Sequence, residues 1–334
     1  MDSPCILLVE DDDDDAALAV YALARASSCH EVLRARDGAE AVRYAVGSKV
    51  RALDLVLLDL HLPRLDGKAV LRHIRAPDLQ RVPVVVLSSS VEPVDLADCY
   101  SLEANSYLRK PVDLRAFTED LSLTLFYWLK LNVPPGEAPG RRDVRHTSEG
   151  VHAEHERARP FTLVRTLLTG RSHRDAHASG SKASALVIDR DPWTRARTVR
   201  ALQEVAGSTA VMDVDTAEAA IGRLATAKAD PGTSPWAAVR LVMLDLDHHT
   251  TDGPRMIREI RSVVDHRLPI VVFTRQDNPD AVAACYALGV NSVVRKADDL
   301  DYDDTVRLIG HYWLRLNETL PIGAMVPLET DAGR

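Results

Sequence analysis

CILLVEDDDDD, Cys5–Asp15, and DLVLLDLHLPRLDG, Asp54–Gly67, decide how this chain folds. Each is an apolar run that ends in acids, the pattern of a buried strand delivering carboxylates at its C-terminal tip. Two such strands side by side in a parallel sheet would bring Glu10, Asp11 and Asp59 into one pocket. Three carboxylates in one place repel unless a divalent cation or protons relieve them. The pattern returns later with one change. ALVIDRD, Ala185–Asp191, carries Arg190 where Asp11 stands, and RLVMLDLDHHTTDG, Arg240–Gly253, carries Asp245.

Working outward, the repeat extends along most of the chain. ADCYSLEANSYLRK, Ala97–Lys110, matches AACYALGVNSVVRK, Ala283–Lys296, and YWLKLN, Tyr127–Asn132, matches YWLRLN, Tyr312–Asn317. Asp59, Ser88, Cys99 and Lys110 move by one common offset onto Asp245, Thr274, Cys285 and Lys296. The chain therefore holds two copies of one domain. In the first, strands are expected near Cys5–Val9, Glu31–Ala35, Asp54–Leu58, Pro83–Leu87 and Asn105–Arg109. Helices are expected at Asp12–Ser27, Asp37–Gly47, Asp66–Arg75, Glu92–Leu102 and Leu114–Leu131. Asp12–Asp15 read as acids of a helix N-terminus and Asp66 as an N-cap. Strand–helix alternation with short, fully apolar strands means an α/β fold, a parallel sheet covered on both faces. Ligand chemistry in such sheets lies beyond the C-terminal ends of the strands, where the acids already are.

The expected organisation is a first domain over 1–132, a linker over 133–184, a second domain over 185–320 and a tail over 321–334. The linker opens with PPGEAPGRR and is then rich in arginine, histidine, serine and glycine, the composition of a flexible tether. Phe161, Leu163, Val164, Leu167 and Leu168 could form one short amphipathic helix in it. Its histidines His146, His152, His155, His173 and His177 lack a metal-ligand spacing.

The net charge of -8 over 334 residues argues against a dedicated nucleic-acid binder. No apolar run approaches the roughly 18 residues that cross a bilayer, so no membrane segment is expected. MDSP leads directly into a strand, without the pattern of a signal peptide. The four cysteines form no CxxC pair and read as small buried hydrophobes of a reducing cytoplasm. No helix-turn-helix pattern follows either copy, so the expected output is contact with protein rather than DNA.

Glu10, Asp11, Asp59, Ser88 and Lys110 suggest a chemistry. Three carboxylates and one ammonium leave the pocket anionic by two charges, which suits Mg2+, a hard ion that takes oxygen ligands and keeps several waters. Beside such an ion Asp59 can act as a nucleophile toward a phosphoryl group and form an acyl phosphate. Lys110 and the metal would hold phosphoryl oxygens, and the Ser88 hydroxyl would donate to another.

At this point the first copy resembles the receiver domain of two-component response regulators. The resemblance covers nearly all of Met1–Leu131 and rests on Glu10-Asp11, LLDLHLPRLDG, PVVVLS and YLRKP. It implies a flavodoxin-like (βα)5 doubly wound sheet in each copy, with strand order 2-1-3-4-5. It implies Asp59 as phospho-acceptor, Asp11 as a direct Mg2+ ligand, Glu10 as a ligand through water, and the His61 carbonyl as a further ligand. Lys110 would pair with the phosphoryl group, and Lys110–Pro111 would be a cis peptide. Ser88 and Tyr107 would be the switch pair. The short loops and the FYWLKLN ending look most like small standalone receivers that partner phytochrome-type histidine kinases. A sensor histidine kinase is thus the implied donor, and the protein is read as a phospho-acceptor rather than an enzyme.

The second copy departs from the pattern. Asp189, Asp245, Thr274 and Lys296 remain, but Arg190 replaces the direct metal ligand. Val293 replaces the switch aromatic, Ala297 the proline after the lysine, and His249 the proline after the acceptor motif. Asp189 and Asp245 against Arg190 and Lys296 make a self-neutral pocket, so weak Mg2+ binding and slow or absent phosphorylation are expected. A bland reading leaves Arg190 in solvent and the site weakened but working. Two rivals stand beside a regulatory role: a double acceptor using Asp245 as well, and, from LDLDHHT at Leu244–Thr250, an aspartate-nucleophile phosphatase. Phe126, Tyr127, Trp128, Leu129 and Leu131 and their counterparts Tyr312, Trp313 and Leu314 suit an interface. That interface could form between the two copies of one chain or between two chains.

Overall fold

The computed structural model describes residues 4–26, 30–47, 53–75, 82–90, 92–135, 184–206, 210–247, 253–264, 266–275, 278–296 and 302–322. The first copy runs β1 (Cys5–Val9), α1 (Asp13–Ala26), β2 (Glu31–Ala35), α2 (Gly38–Gly47), β3 (Leu55–Asp59), α3 (Gly67–Ile74), β4 (Val84–Ser88), α4 (Pro93–Ser101), β5 (Ser106–Arg109) and α5 (Leu114–Phe126). The second runs β6 (Ser184–Ile188), α6 (Pro192–Ala206), β7 (Val211–Val214), α7 (Ala217–Ala229), β8 (Val239–Asp245), α8 (Gly253–Val263), β9 (Ile270–Thr274), α9 (Pro279–Ala287), β10 (Ser292–Arg295) and α10 (Tyr302–Gly310). Both sheets are wholly parallel, with the orders β2-β1-β3-β4-β5 and β7-β6-β8-β9-β10, so each copy has the expected 2-1-3-4-5 topology.

Every residue of β1, β3 and β4 is buried, because helices cover both faces of the sheet. The register pairs Val9 with Leu58, which brings the ends of β1 and β3 level. Glu10 and Asp59 therefore emerge at the same height. Gly67 closes this end tightly: a Cβ there would lie 2.3 Å from the Asp59 carbonyl oxygen and 2.6 Å from Leu60 Cα. A side chain at Gly67 would push α3 off the acceptor strand.

The last helix of each copy differs from expectation. A single helix over Leu114–Leu131 is expected, but the turn widens to a π-helical one at Tyr127–Leu131, and again at His311–Leu316. Tyr127, Trp128, Leu129 and Leu131 are all buried. A helix on one sheet would expose part of this run, but here a second body covers its outer side.

That body is the other copy. Tyr127 stacks on Tyr312, with centroids 4.3 Å apart and planes 10° from parallel. Trp128 Nε1 donates to the Tyr312 hydroxyl at 2.6 Å, and Trp313 Nε1 donates to the Tyr127 hydroxyl at 2.7 Å. Ser106 Oγ donates to Asn317 Oδ1 at 2.7 Å and lies 2.8 Å from the Tyr312 hydroxyl. A serine has one hydroxyl proton, so the Tyr312 proton must point to Ser106. The order Trp128, Tyr312, Ser106, Asn317 is thus a directed chain that crosses between the copies three times. Trp313, Tyr127, Ser292 and Asn132 form its mirror image. Asn105 and Asn291 exchange side-chain-to-carbonyl bonds of 3.0 and 3.2 Å across the same axis.

The segments after the π turns also exchange. Glu318 N donates to the Tyr107 carbonyl at 2.8 Å, and Val133 N donates to the Val293 carbonyl at 2.7 Å. Each tail thus covers the edge strand of the other sheet, β5 or β10, whose open hydrogen-bonding side would otherwise invite foreign strands. Val133, expected as the first linker residue, belongs to this contact, and Ser184, expected as the last, is the first residue of β6. The tether's short helix and histidines, with His249 and Ala297, lie outside the described residues.

Replacing Tyr312 by Phe removes an acceptor from a buried indole and a donor from Ser106. We expect a loss of about 1–3 kcal/mol in urea unfolding. Tyr44→Phe, at a partly exposed surface position, is expected to stay within about 0.5 kcal/mol of wild type.

Candidate functional site

The ends of β1, β3 and β5 build the first pocket. Glu10 and Asp59 are buried at 3% and 7% exposure, whereas Asp11 faces solvent. Carboxylate oxygens of these three residues all lie within 4.8 Å of one another. Lys110, directly after β5, reaches across the sheet. Its ammonium is 2.5 Å from Asp59 Oδ2, 2.7 Å from Glu10 Oε2 and 2.9 Å from Asp15 Oδ2. Ser88 at the end of β4 is fully buried, and its Oγ accepts from Ser90 N at 3.1 Å. Tyr107 is buried, with its hydroxyl 3.4 Å from the Ser90 carbonyl. His61 N donates to Asp59 Oδ1 at 3.0 Å while its ring is 64% exposed. The predicted residues of the first copy are thus gathered at one end of the sheet.

Two participants escape the sequence reading. Asp12 is a helix cap, its Oδ1 accepting from Asp14 N and Asp15 N at 2.9 Å, but Asp15 turns back to Lys110. Arg34 on β2 donates to the carbonyls of Glu10, Asp11 and Asp12 at 3.1 Å and pairs with Asp13. It pins the acidic loop through its backbone, a role with no local sequence signal. The expected cis Lys110–Pro111 bond is absent: no peptide bond among the described residues is cis. With a trans bond Lys110 already meets three carboxylates, and trans is the cheaper form by about 0.5–1 kcal/mol.

Burial pushes the Glu10 carboxyl up to about 7; Lys110 opposes this, and Asp59 and Asp15 add to it. Burial would lower Lys110, but Asp59 and Glu10 outweigh it and keep the ammonium charged. A cluster of hard oxygen donors, one of them exposed to solvent, fits Mg2+ with several retained waters.

The second pocket is built differently from expectation. Arg190 is exposed and makes no ion pair among the described residues, so it does not neutralise the site. Asp189, one of the two carboxylates in the expected charge balance, is bound by Thr194 Oγ1 at 2.5 Å and Asp191 N at 2.9 Å. The position of Arg190 is exposed in both copies, since its counterpart Asp11 is exposed as well. Lys296 instead pairs with Asp245 and, at 2.9 Å, with Asp247 Oδ2. Asp247 Oδ1 accepts from Thr274 Oγ1 at 2.8 Å and from Arg275 N at 2.5 Å. Burial pushes Asp247 up, but Lys296, the Arg275 amide and the Thr274 hydroxyl together hold its carboxyl below the usual range. Burial holds Asp245 above it despite Lys296. Asp247 was visible in the sequence only as part of LDLDHHT, because its counterpart in the first copy is His61.

The response regulator receiver domain profile matches this chain twice, over residues 6–122 and 185–302, well over half its length. The probable methanogenesis regulatory protein FilR2 of Methanothrix harundinacea is 39% identical over 137 residues, 40% of this chain and 88% of that protein. Response regulator Rcp1 of Synechocystis is 36% identical over 130 residues, 37% of this chain and 88% of that protein. The crystal structure of the phosphorylated cyanobacterial phytochrome response regulator RcpA is 37% identical, with a TM-score of 0.39. That match covers 40% of this chain and 99% of RcpA.

Glu10 carries the pH dependence of the first pocket. Its carboxyl sits above its unfolded value, so without metal its contribution to stability is present in acid and is lost as pH rises through about 7. A divalent cation needs the ionised form. The rise in melting temperature on adding Mg2+ is therefore expected to be larger above pH 7 than below it, and Glu10→Gln should flatten that difference. Thermal unfolding at matched Mg2+ checks both; an equal rise on either side of pH 7 counts against this account.

Proposed function

The chain belongs to the response regulator receiver family, and from that premise we propose that Asp59 accepts a phosphoryl group from a sensor histidine kinase. The observation that carries this reading is the Asp59 carboxylate, buried at a strand end, 2.5 Å from the Lys110 ammonium and grouped with Glu10 and Asp11. An Asp59 oxygen attacks the phosphorus of the phosphohistidine. The new O–P bond forms as the P–N bond breaks, and the imidazole keeps the electron pair and takes a proton from water. Lys110 moves from the carboxylates to a phosphoryl oxygen, and the Ser88 hydroxyl donates to another. Glu10, Asp11, Asp59 and the His61 carbonyl would hold Mg2+, which supplies charge neutralisation for the incoming phosphoryl oxygens. The likeness to Rcp1 and RcpA supports a phytochrome-type kinase as the donor.

The signal would leave the pocket through Tyr107. Its N–H donates to Asn317 Oδ1 at 3.1 Å and its carbonyl accepts from Glu318 N, both from the far end of the second copy. Movement of Ser88 and Tyr107 on phosphorylation therefore acts on the contact between copies. We read the second copy as an intramolecular partner that occupies the face through which a lone receiver would pair with another chain. A phosphatase centred on Asp245 would need Asp247 free to give a proton to a leaving group, whereas three donors hold it.

Intact-mass analysis with Mg2+ and acetyl phosphate tests the assignment. Wild type is expected to gain one phosphoryl group, Asp59→Asn none, and Asp245→Asn still one. Two groups on wild type, or loss of one with Asp245→Asn, would make the chain a double acceptor.

A further inference from the structure

The second pocket holds a group that the first does not. Asp247 follows Asp245 by two positions, and its N–H donates to Asp245 Oδ1 at 2.8 Å just as His61 N donates to Asp59. The backbones therefore agree, and the side chains diverge. The His61 ring is 64% exposed, whereas the Asp247 side chain is 8% exposed and points into the pocket. There its carboxylate gathers the Lys296 ammonium, the Thr274 hydroxyl and the Arg275 amide. The first two are the counterparts of Lys110 and Ser88, the groups that would receive phosphoryl oxygens in the first copy. An ammonium, a hydroxyl and an amide converging on one anionic group make a complete oxyanion cradle. In the second copy that cradle is filled by the chain itself.

We propose that the Asp247 carboxylate is a built-in substitute for a transferred phosphoryl group. It satisfies the donors that would stabilise phosphoryl oxygens on Asp245, and so it excludes phosphorylation there. It also ties the end of β9 to Lys296 after β10, holding the second copy in the liganded arrangement that the first reaches only on phosphorylation. The two halves then differ in kind: one is switchable, and the other is fixed in the state it would switch to. This deepens the proposed function, since it rests on Lys110 and Ser88 being the groups that donate to phosphoryl oxygens in the first copy.

Arg190 is the rival explanation for a silent second site, and the test separates the two. All chains are full length and carry Asp59→Asn, so that a phosphoryl group can be gained only elsewhere. Each is treated with Mg2+ and acetyl phosphate and weighed intact. The Asp59→Asn parent and Asp59→Asn with Arg190→Asp are both expected to gain nothing. Adding Asp247→His, the residue of the first copy, to that pair is expected to give one phosphoryl group, which a further Asp245→Asn removes. Gain with Arg190→Asp alone would overturn the proposal, because Asp247 would then not exclude the phosphoryl group. So would no gain in the triple variant when its circular dichroism and melting temperature match the parent's. Hydrogen exchange reads the same point without any phosphoryl group on Asp245. Asp247→Ala should release the Arg275 amide, while acetyl phosphate should leave that amide unchanged in wild type and alter the segment after Ser88. Failure of Asp59 itself to accept would appear in wild type alone, leaving the arms of this test readable.

Discussion

A single ammonium set among buried carboxylates is the constraint around which each half of this chain is arranged. Parallel strands that end in acids deliver negative charge into a place with little water, and burial makes that charge costly. Lys110 answers it in the first copy, touching Glu10, Asp15 and Asp59 at once. Lys296 answers it in the second, touching Asp245 and Asp247. The difference lies in what remains after the lysine is satisfied. The first pocket keeps a surplus of carboxylate beside an exposed Asp11, so it can still take a cation. In the second, both oxygens of Asp247 are already engaged.

The second constraint is the edge. A five-stranded open sheet has a free side at β5, and its last helix presents a run of aromatic residues that one sheet cannot cover. Two copies solve both problems together. The π-helical turns let neighbouring residues such as Tyr127 and Trp128 both be buried, and the tails that follow cap the opposite edge strands. Three donors from the first copy, the Tyr100 hydroxyl, the Ser106 hydroxyl and the Tyr107 amide, meet on the Asn317 oxygen. Because every hydroxyl proton in these chains is committed, neither copy can rotate against the other without leaving buried polar groups unpaired.

Much of this was legible in the sequence. The strand-end acids, the lysine after β5, the hydroxyl after β4 and the repeat itself all follow from patterns a linear chain displays, and the sheet order follows from the family they resemble. The failures have a common physical cause. Asp15, Arg34 and Asp247 act through the direction a side chain takes from a loop or an edge strand, which no periodicity encodes. Arg190 illustrates the converse: counting charges placed it in the pocket, but its position faces solvent, as that of Asp11 does. A residue's type set its charge, and the backbone set whether that charge counted.

These two constraints meet at Tyr107. Its ring belongs to the first pocket's neighbourhood, packed near Ser90, while its amide and carbonyl belong to the contact with Asn317 and Glu318. The corresponding Val293 has no hydroxyl to offer its own pocket, although its carbonyl is held by Val133 in the same way. The wiring is therefore one-sided: an aromatic side chain links the first pocket's neighbourhood to the interface, and in the second copy only backbone does. A half with its cradle filled and no lever is poorly suited to receive a signal and well suited to resist one. Under the proposed function, with the second copy held by Asp247, a change at Tyr107 would be absorbed by the first copy's own β5 edge or by breaking the pairing, and either outcome would alter the surface that a third protein meets.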